Sequence, residues 1–342
     1  MAAALVAISH TVEHGLGSVP QFFGISAAFG VTVFFVISGF VISYVVSDGA
    51  FDPISFLKRR LWRVVPLYWA LTLLVAALAI VAPSIFKTTT FGASYLLKSL
   101  LFIPAALPGT TDYRPLLKPG WTLNFEMIFY ACFALLFWVR SVPVRNTILT
   151  LLFAGIAALQ LFASPLPGEI AFYAKLDLLA FVAGMWLALA WKKDLIEHLG
   201  SAARIALLGL AIASTIILYL NPQIHIPLVG PFLPVASATF IVLAALAWDG
   251  QFSFGRVAVW MGNISYSLYL AHMFVIGAAW AVLHKLHIGM GSRFSWVAVI
   301  AIFATTLLAA DMSFRFFEQP LLRWEKSRRR RTDPLTSVPT AS

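Results

Sequence analysis

Apolar runs of roughly 17 to 25 residues, each long enough to cross a hydrocarbon core, follow one another along this chain with little between them. Charges and helix breakers divide them into spans near residues 1–14, 27–47, 60–82, 121–140, 146–163, 172–191, 203–220, 232–248, 264–284 and 294–316. The pattern predicts an all-α polytopic membrane protein, a bundle of about ten transmembrane helices in one domain over residues 1–325, with a basic, disordered cytoplasmic tail at 326–342. The longest connection, residues 83–120, carries IPAALPGTTDYRPLLKPG and cannot face lipid, because its backbone groups would lack partners. Its SYLLKSLLFIP stretch is expected to form a short interfacial or re-entrant helix, and the Pro-rich remainder a lid over an extracytoplasmic opening. The first run is short, since Glu13 comes after only 12 mostly apolar residues where a full span needs about 20. Either that helix is half-buried or the true start lies upstream. No basic n-region and no cleavage site marks it as a signal peptide.

Composition agrees with this picture: 61% of the 342 residues are hydrophobic and 11% charged, which excludes a soluble domain. The net charge of +10 would fit a nucleic-acid binder, yet the cations sit in short loops. Lys58, Arg59, Arg60 and Arg63, then Arg140 and Arg145, then Lys192, Lys193 and Arg204, then Arg256 and the tail WEKSRRRRTD all fall on one side. That is the positive-inside pattern, so the expectation is a multi-pass protein of the bacterial inner membrane with both termini cytoplasmic, and no nucleic-acid partner. Cys132 is the single cysteine, so no intramolecular disulfide or Cys-rich metal site can form, and no metal is expected. P-loop, GxGxxG and HExxH patterns are absent, leaving nucleotide hydrolysis, dinucleotide redox and zincin chemistry without support.

Chemistry is expected where ionisable groups interrupt lipid-like sequence. A charge at mid-bilayer costs about 2.5–3.5 kcal/mol, so such groups usually face a protein interior or a wet cavity. His10 lies in LVAISHTVEHG with Glu13 and His14 three and four positions on, hence on one helical face. A neutral imidazole beside a carboxylate suits general-base work on a hydroxyl; the other reading is a solvated polar residue at a helix end. Glu126 sits one and a half turns into WTLNFEMIFY beside Asn124, with Trp121 and Tyr130 as donors. A structural ion pair with a helix arginine is its alternative. Arg59, Arg60 and Arg63 of FLKRRLWRVVPLYW suit bidentate phosphate binding, against plain positive-inside anchoring. Ser38 and Gly39 centre FGVTVFFVISGFVIS, where packing is favoured over a serine nucleophile. Asn263, Tyr266, Tyr269 and His272 in NISYSLYLAHMF supply a polar lining or interhelical hydrogen bonds, and Arg315 with Glu318 reads as a local pair. Asp177 and Asp311 have no expected role beyond pairing with a cation.

His10 followed by FGVTVFFVISGF, FLKRRLWRVVPLYW, WTLNFEMIFY, ISYSLYLAH and FEQP resembles, in that order, the membrane-bound acyltransferase 3 family, most closely its exopolysaccharide and O-antigen O-acetyltransferase branch. The resemblance implies ten spans, an acyl group taken from cytoplasmic acyl-CoA, most simply acetyl-CoA, and a glycan or lipid-linked sugar acceptor. It also implies that His10 is the first-span histidine, that RRLWR is the motif linked to acyl-CoA, and that Glu126 is the acidic residue of the Trp-rich span. Glu13, Ser38, Trp121, Asn124, Tyr130, Asn263, Tyr266 and His272 would line the path. The family usually carries an arginine eleven residues before its first-span histidine, a position that here would precede Met1. A transporter of a lipid-linked glycan or small anion, using the same charges without acyl transfer, is the alternative.

Overall fold

The structure, a computed structural model, describes residues 2–16, 21–46, 49–81, 92–107, 109–162, 165–220, 230–249, 255–285 and 293–332. Among these the regular elements are all helical: α1 (Ala2–Leu16), α2 (Gln21–Val45), α3 (Pro53–Val81), α4 (Ala93–Leu100), α5 (Trp121–Leu135), α6 (Val142–Phe162), α7 (Gly168–Tyr173), α8 (Leu178–Lys192), α9 (Ser201–Leu220), α10 (Leu233–Ala247), α11 (Arg256–Lys285), α12 (Arg293–Ser313), and α13 (Gln319–Thr332), with a π-turn at Phe314–Glu318 between the last two. Nine of the ten sequence spans fall mainly on one helix each, while the span 172–191 is divided between the end of α7 and α8 by a break at 174–177. Seven helical stretches are long and apolar enough to cross a membrane, among the described residues. The remaining three, α1, α5 and α10, have 15 residues each. The basic segment 326–332 forms the end of α13, and DPLTSVPTAS lies outside the described residues.

Packing is set by small residues and aromatic rings. A Cβ on Gly39 would lie 2.1 Å from the carbonyl oxygen of Phe181, and one on Gly184 would lie 2.0 Å from that of Val36, so α2 and α8 touch backbone to backbone. Such small-residue contacts replace the hydrophobic drive that lipid removes. Beside this seam, the ring of Phe181 stacks on Phe35 at 4.5 Å and on Phe129 at 4.6 Å, and Phe125, Phe133 and Phe153 complete a fully buried core.

The basic loops gather at one end of the bundle. The Gly49 amide donates to the Arg140 carbonyl at 3.1 Å, Lys192 Nζ donates to the Val46 carbonyl at 3.0 Å, and Arg63 reaches Glu318 at 3.2 Å. Arg145, counted in sequence among the loop cations, is fully buried with its guanidinium over the rings of Phe133 (4.9 Å) and Phe51 (5.4 Å). The 92–120 connection holds the expected short helix, α4, fastened to α3 by hydrogen bonds from Tyr68 Oη to the Ser99 carbonyl (2.9 Å) and from Trp69 Nε1 to the Leu100 carbonyl (2.8 Å). Beyond it the chain is irregular until a 3-10 turn at Lys118–Gly120 opens α5. Ser99 Oγ accepts the Leu116 amide at 3.0 Å, tying this segment down.

Candidate functional site

Small residues along α1 let it lie against α2, α11 and α12 and place His10 on its inner, partly buried side. His10 Nδ1 lies 3.0 Å from Glu13 Oε2, the same-face spacing read from sequence. Its ring stacks on that of His272 of α11, with centroids 5.5 Å apart and planes 17° apart. His272 is 1% exposed, so a buried second imidazole borders one side of the partly exposed first. Its Nδ1 donates to the Tyr269 carbonyl at 2.6 Å, which leaves Nε2 as a buried acceptor with no protein partner among the described residues. Tyr269 Oη in turn donates to the Pro119 carbonyl (3.0 Å) and accepts from Thr122 Oγ1 (3.0 Å). The mouth of α5 is thus linked through α11 to the imidazole pair. His272 was expected to supply a polar lining or an interhelical hydrogen bond and Thr122 had no expected role; three helices distant in sequence bring them together with His10, and no local pattern carries that.

Glu126 forms a different cluster. It is 5% exposed, accepts a very short hydrogen bond from Tyr130 Oη and a longer one from Ser38 Oγ at 3.4 Å. Among the described residues no hydrogen bond joins it to His10. Asn124, 1% exposed, leaves both polar atoms of its amide without a partner among the described residues.

Nearer the basic end, Arg63 pairs with Glu318 of the π-turn, whose second oxygen accepts from Ser267 Oγ at 2.9 Å, while Tyr266 Oη donates to the Val64 carbonyl. The local Arg315–Glu318 pair read from sequence is therefore replaced: Arg315 Nε binds Asp311 at 2.7 Å, because the widened π-turn directs Glu318 inward to α3. Arg60 lies over the ring of Phe56 at 5.8 Å, and Arg59 is exposed on the same helix. Asn263 lines a cleft of about 690 Å³ with Arg256, Trp260, Asp311 and Arg315, which neither His10 nor Glu126 borders. Trp121, the first residue of α5, faces a cleft of about 850 Å³ bordered by Asp112, Tyr113, Arg114, Phe172 and Lys175. No group of three metal-ligating side chains occurs among the described residues.

Residues 1–313 match the family described as Acyltransferase domain, Acyl_transf_3. The chain is 34% identical over 327 residues to the Exopolysaccharide production protein ExoZ of Rhizobium meliloti (strain 1021), covering 92% of this chain and 96% of that protein. It is 27% identical to the O-acetyltransferase OatA of Staphylococcus aureus (strain NCTC 8325 / PS 47), over 85% of this chain and 52% of that longer protein. It is 28% identical to the Acyltransferase MdmB of Streptomyces mycarofaciens, over 90% of this chain and 83% of the relative. No solved structure matches. With its five motifs placed on one helical bundle and a family match across nearly its whole length, the chain belongs to the acyltransferase 3 family and is an acyltransferase.

Proposed function

We propose that this protein is an integral-membrane O-acetyltransferase that moves an acetyl group from cytoplasmic acyl-CoA to a hydroxyl of an exopolysaccharide, O-antigen or lipid-linked sugar, with His10 as general base. The observation that supports it most is the His10–His272 stack with Glu13 on His10 Nδ1. With Nδ1–H donating to the Glu13 carboxylate, the lone pair of His10 Nε2 is available to take the hydroxyl proton. The freed oxygen attacks the thioester carbonyl, its C–S bond breaks and coenzyme A leaves as the thiolate, which is then protonated. Buried His272 holds the ring of His10 in place.

Arg59, Arg60 and Arg63 at the start of α3 would meet the phosphates of the donor, Arg63 sharing its guanidinium with Glu318. Glu126, hydrogen-bonded by Tyr130 and Ser38, orients the acceptor path rather than the histidine. In this reading α1, α2, α3, α5, α6, α7–α8, α9, α10, α11 and α12 make ten crossings of a bacterial inner membrane, the basic end is cytoplasmic, and the α4 segment is extracytoplasmic. The ExoZ relative, an exopolysaccharide production protein, supports a glycan acceptor, and the OatA relative supports acetyl transfer to oxygen.

The test is transfer of label from radioactive acetyl-CoA to membrane glycans in cells making the native protein, His10→Ala or His272→Gln at matched levels. Loss of a general base predicts a fall of about 10²- to 10⁴-fold for His10→Ala, and a smaller loss for His272→Gln. Label that persists in His10→Ala, or no label from any version, would sink the reading.

A further inference from the structure

We propose that the cleft at the α5 mouth is a docking site for an anionic saccharide unit of the acceptor, with Lys175 as the residue that reads its charge. The proposal rests on the acyltransferase reading above and adds the chemical class of the substrate. Lys175 Nζ stands 5.1 Å from the ring centre of Trp121, 5.4 Å from Phe172 and 5.8 Å from Phe125. Three rings fix the ammonium at the cleft wall, yet a ring quadrupole replaces only part of the water such a cation gives up. Among the described residues Lys175 forms no ion pair. The other cation of the cleft is committed, because Arg114 Nε and Nη2 grip the Asp112 carboxylate at 2.8 and 2.6 Å. The cleft lining thus carries two cations against one carboxylate, and Lys175 has no carboxylate at ion-pair distance, Asp177 and Asp112 acting on it only from further off.

The walls suit a sugar. A pyranose is amphipathic, with apolar C–H faces and a rim of hydroxyls, and the cleft sets the aromatic rings of Trp121, Tyr113 and Phe172 against the Asp112–Arg114 pair and Thr111. Its volume of about 850 Å³ holds more than one sugar ring. Gly168 lets the Tyr113 ring lie flat against the start of α7 and form part of the wall: a Cβ there would fall 1.9 Å from Tyr113 Oη. The floor also leads to the base, since Trp121 precedes Thr122, whose hydroxyl reaches Tyr269 beside His272 and His10. The anion is a carboxylate of the sugar itself or a phosphate attached to it, and either would meet the ammonium in the same way.

The experiment uses the full chain in nanodiscs of zwitterionic lipid, and titration calorimetry with a glucuronate tetrasaccharide, its carboxyl-reduced glucose counterpart and a glucose oligosaccharide bearing a terminal phosphate. The charged saccharides are expected to bind about tenfold more tightly than the neutral one, with the stronger of the two identifying the anion. Lys175→Gln removes this preference and Lys175→Arg keeps it, while Gly168→Ala weakens all three alike. Equal binding of neutral and charged probes, or a preference that survives Lys175→Gln, overturns the proposal. So does displacement of the saccharides by phosphatidylglycerol nanodiscs, which would mark a lipid headgroup site. On the same preparations, His10-dependent transfer without charge preference would sink this inference alone, and charge-selective binding without any transfer would sink the enzymatic reading alone.

Discussion

The α2–α8 seam makes the most quantitative prediction. Substituting Gly39→Ala puts a methyl 2.1 Å from the Phe181 carbonyl oxygen, and Gly184→Ala puts one 2.0 Å from that of Val36. Ordinary contact begins at about 3.4 Å, so either change must part the two helices by more than an ångström. Over-packing usually costs about 1–3 kcal/mol because side chains can turn away. Here the obstacles are backbone carbonyls, which cannot, so each substitution is expected to cost about 3 kcal/mol. The two are also coupled. A separation that accommodates one methyl accommodates much of the other, and the double variant should cost well below the sum, leaving an interaction energy of about 2 kcal/mol. Reversible unfolding of the full chain in bicelles, followed for wild type, both single variants and the double, closes the cycle. Activity should fall in parallel, since Ser38, next to Gly39, moves off Glu126. A cost below about 1 kcal/mol for either single variant, or strict additivity in the double, would refute the backbone-contact argument.

Two further outcomes follow from the ion pairs. Glu318 is 4% exposed and Arg63 43%, so removing the arginine strands a buried carboxylate, whereas removing the carboxylate returns a cation to water. Arg63→Ala is therefore expected to lose about 2–3 kcal/mol of stability and Glu318→Ala about 1 kcal/mol or less, the reverse order contradicting the geometry. In the connection between α4 and α5, hydrogen bonds from Arg114 hold the Asp112 carboxyl below its ordinary value. A depressed carboxylate stabilises the fold above its unfolded-state value and loses that contribution as the pH falls through the folded one. Hydrogen exchange at the Arg114 amide, which donates to Asp112 at 3.1 Å, should stay slow from neutral pH down through the ordinary carboxylate range and quicken only below it, while Asp112→Asn makes it fast throughout.

Local pattern carried what is local. The apolar runs located the helices, the i, i+3 spacing gave His10 and Glu13, SYLLKSLLFIP announced α4, and Ser38–Gly39 pointed to close packing. The contacts that build the site are long-range: His10 with His272, Arg63 with Glu318, Ser38 with Glu126, and Lys175 with Trp121. Hydrophobicity alone does not specify which faces of apolar helices meet, since lipid and protein interior look alike to a leucine. Lys175 escaped notice for a related reason, because its partners are rings, which in a chain with 29 Phe and 11 Trp carry no positional signal. Arg315 and Glu318 were misjudged because an i, i+3 rule assumes an α-turn and the backbone there is wider.

That wider turn also sets the phase of everything after it. Each residue of a helix advances the side chains by about 100° around the axis, so the residue absorbed at Phe314–Glu318 acts as an angular offset between α12 and α13. Trp324 meets Trp62 edge-on at 5.4 Å only with that offset in place. Winding the same five residues as a regular α-helix would swing Trp324 about a quarter of the way around the bundle's basic end, whereas deleting one of them would restore regular winding and nearly keep its phase. The five residues work as an indexing key, and the match between their number and the width of their winding is what the C-terminal helix requires.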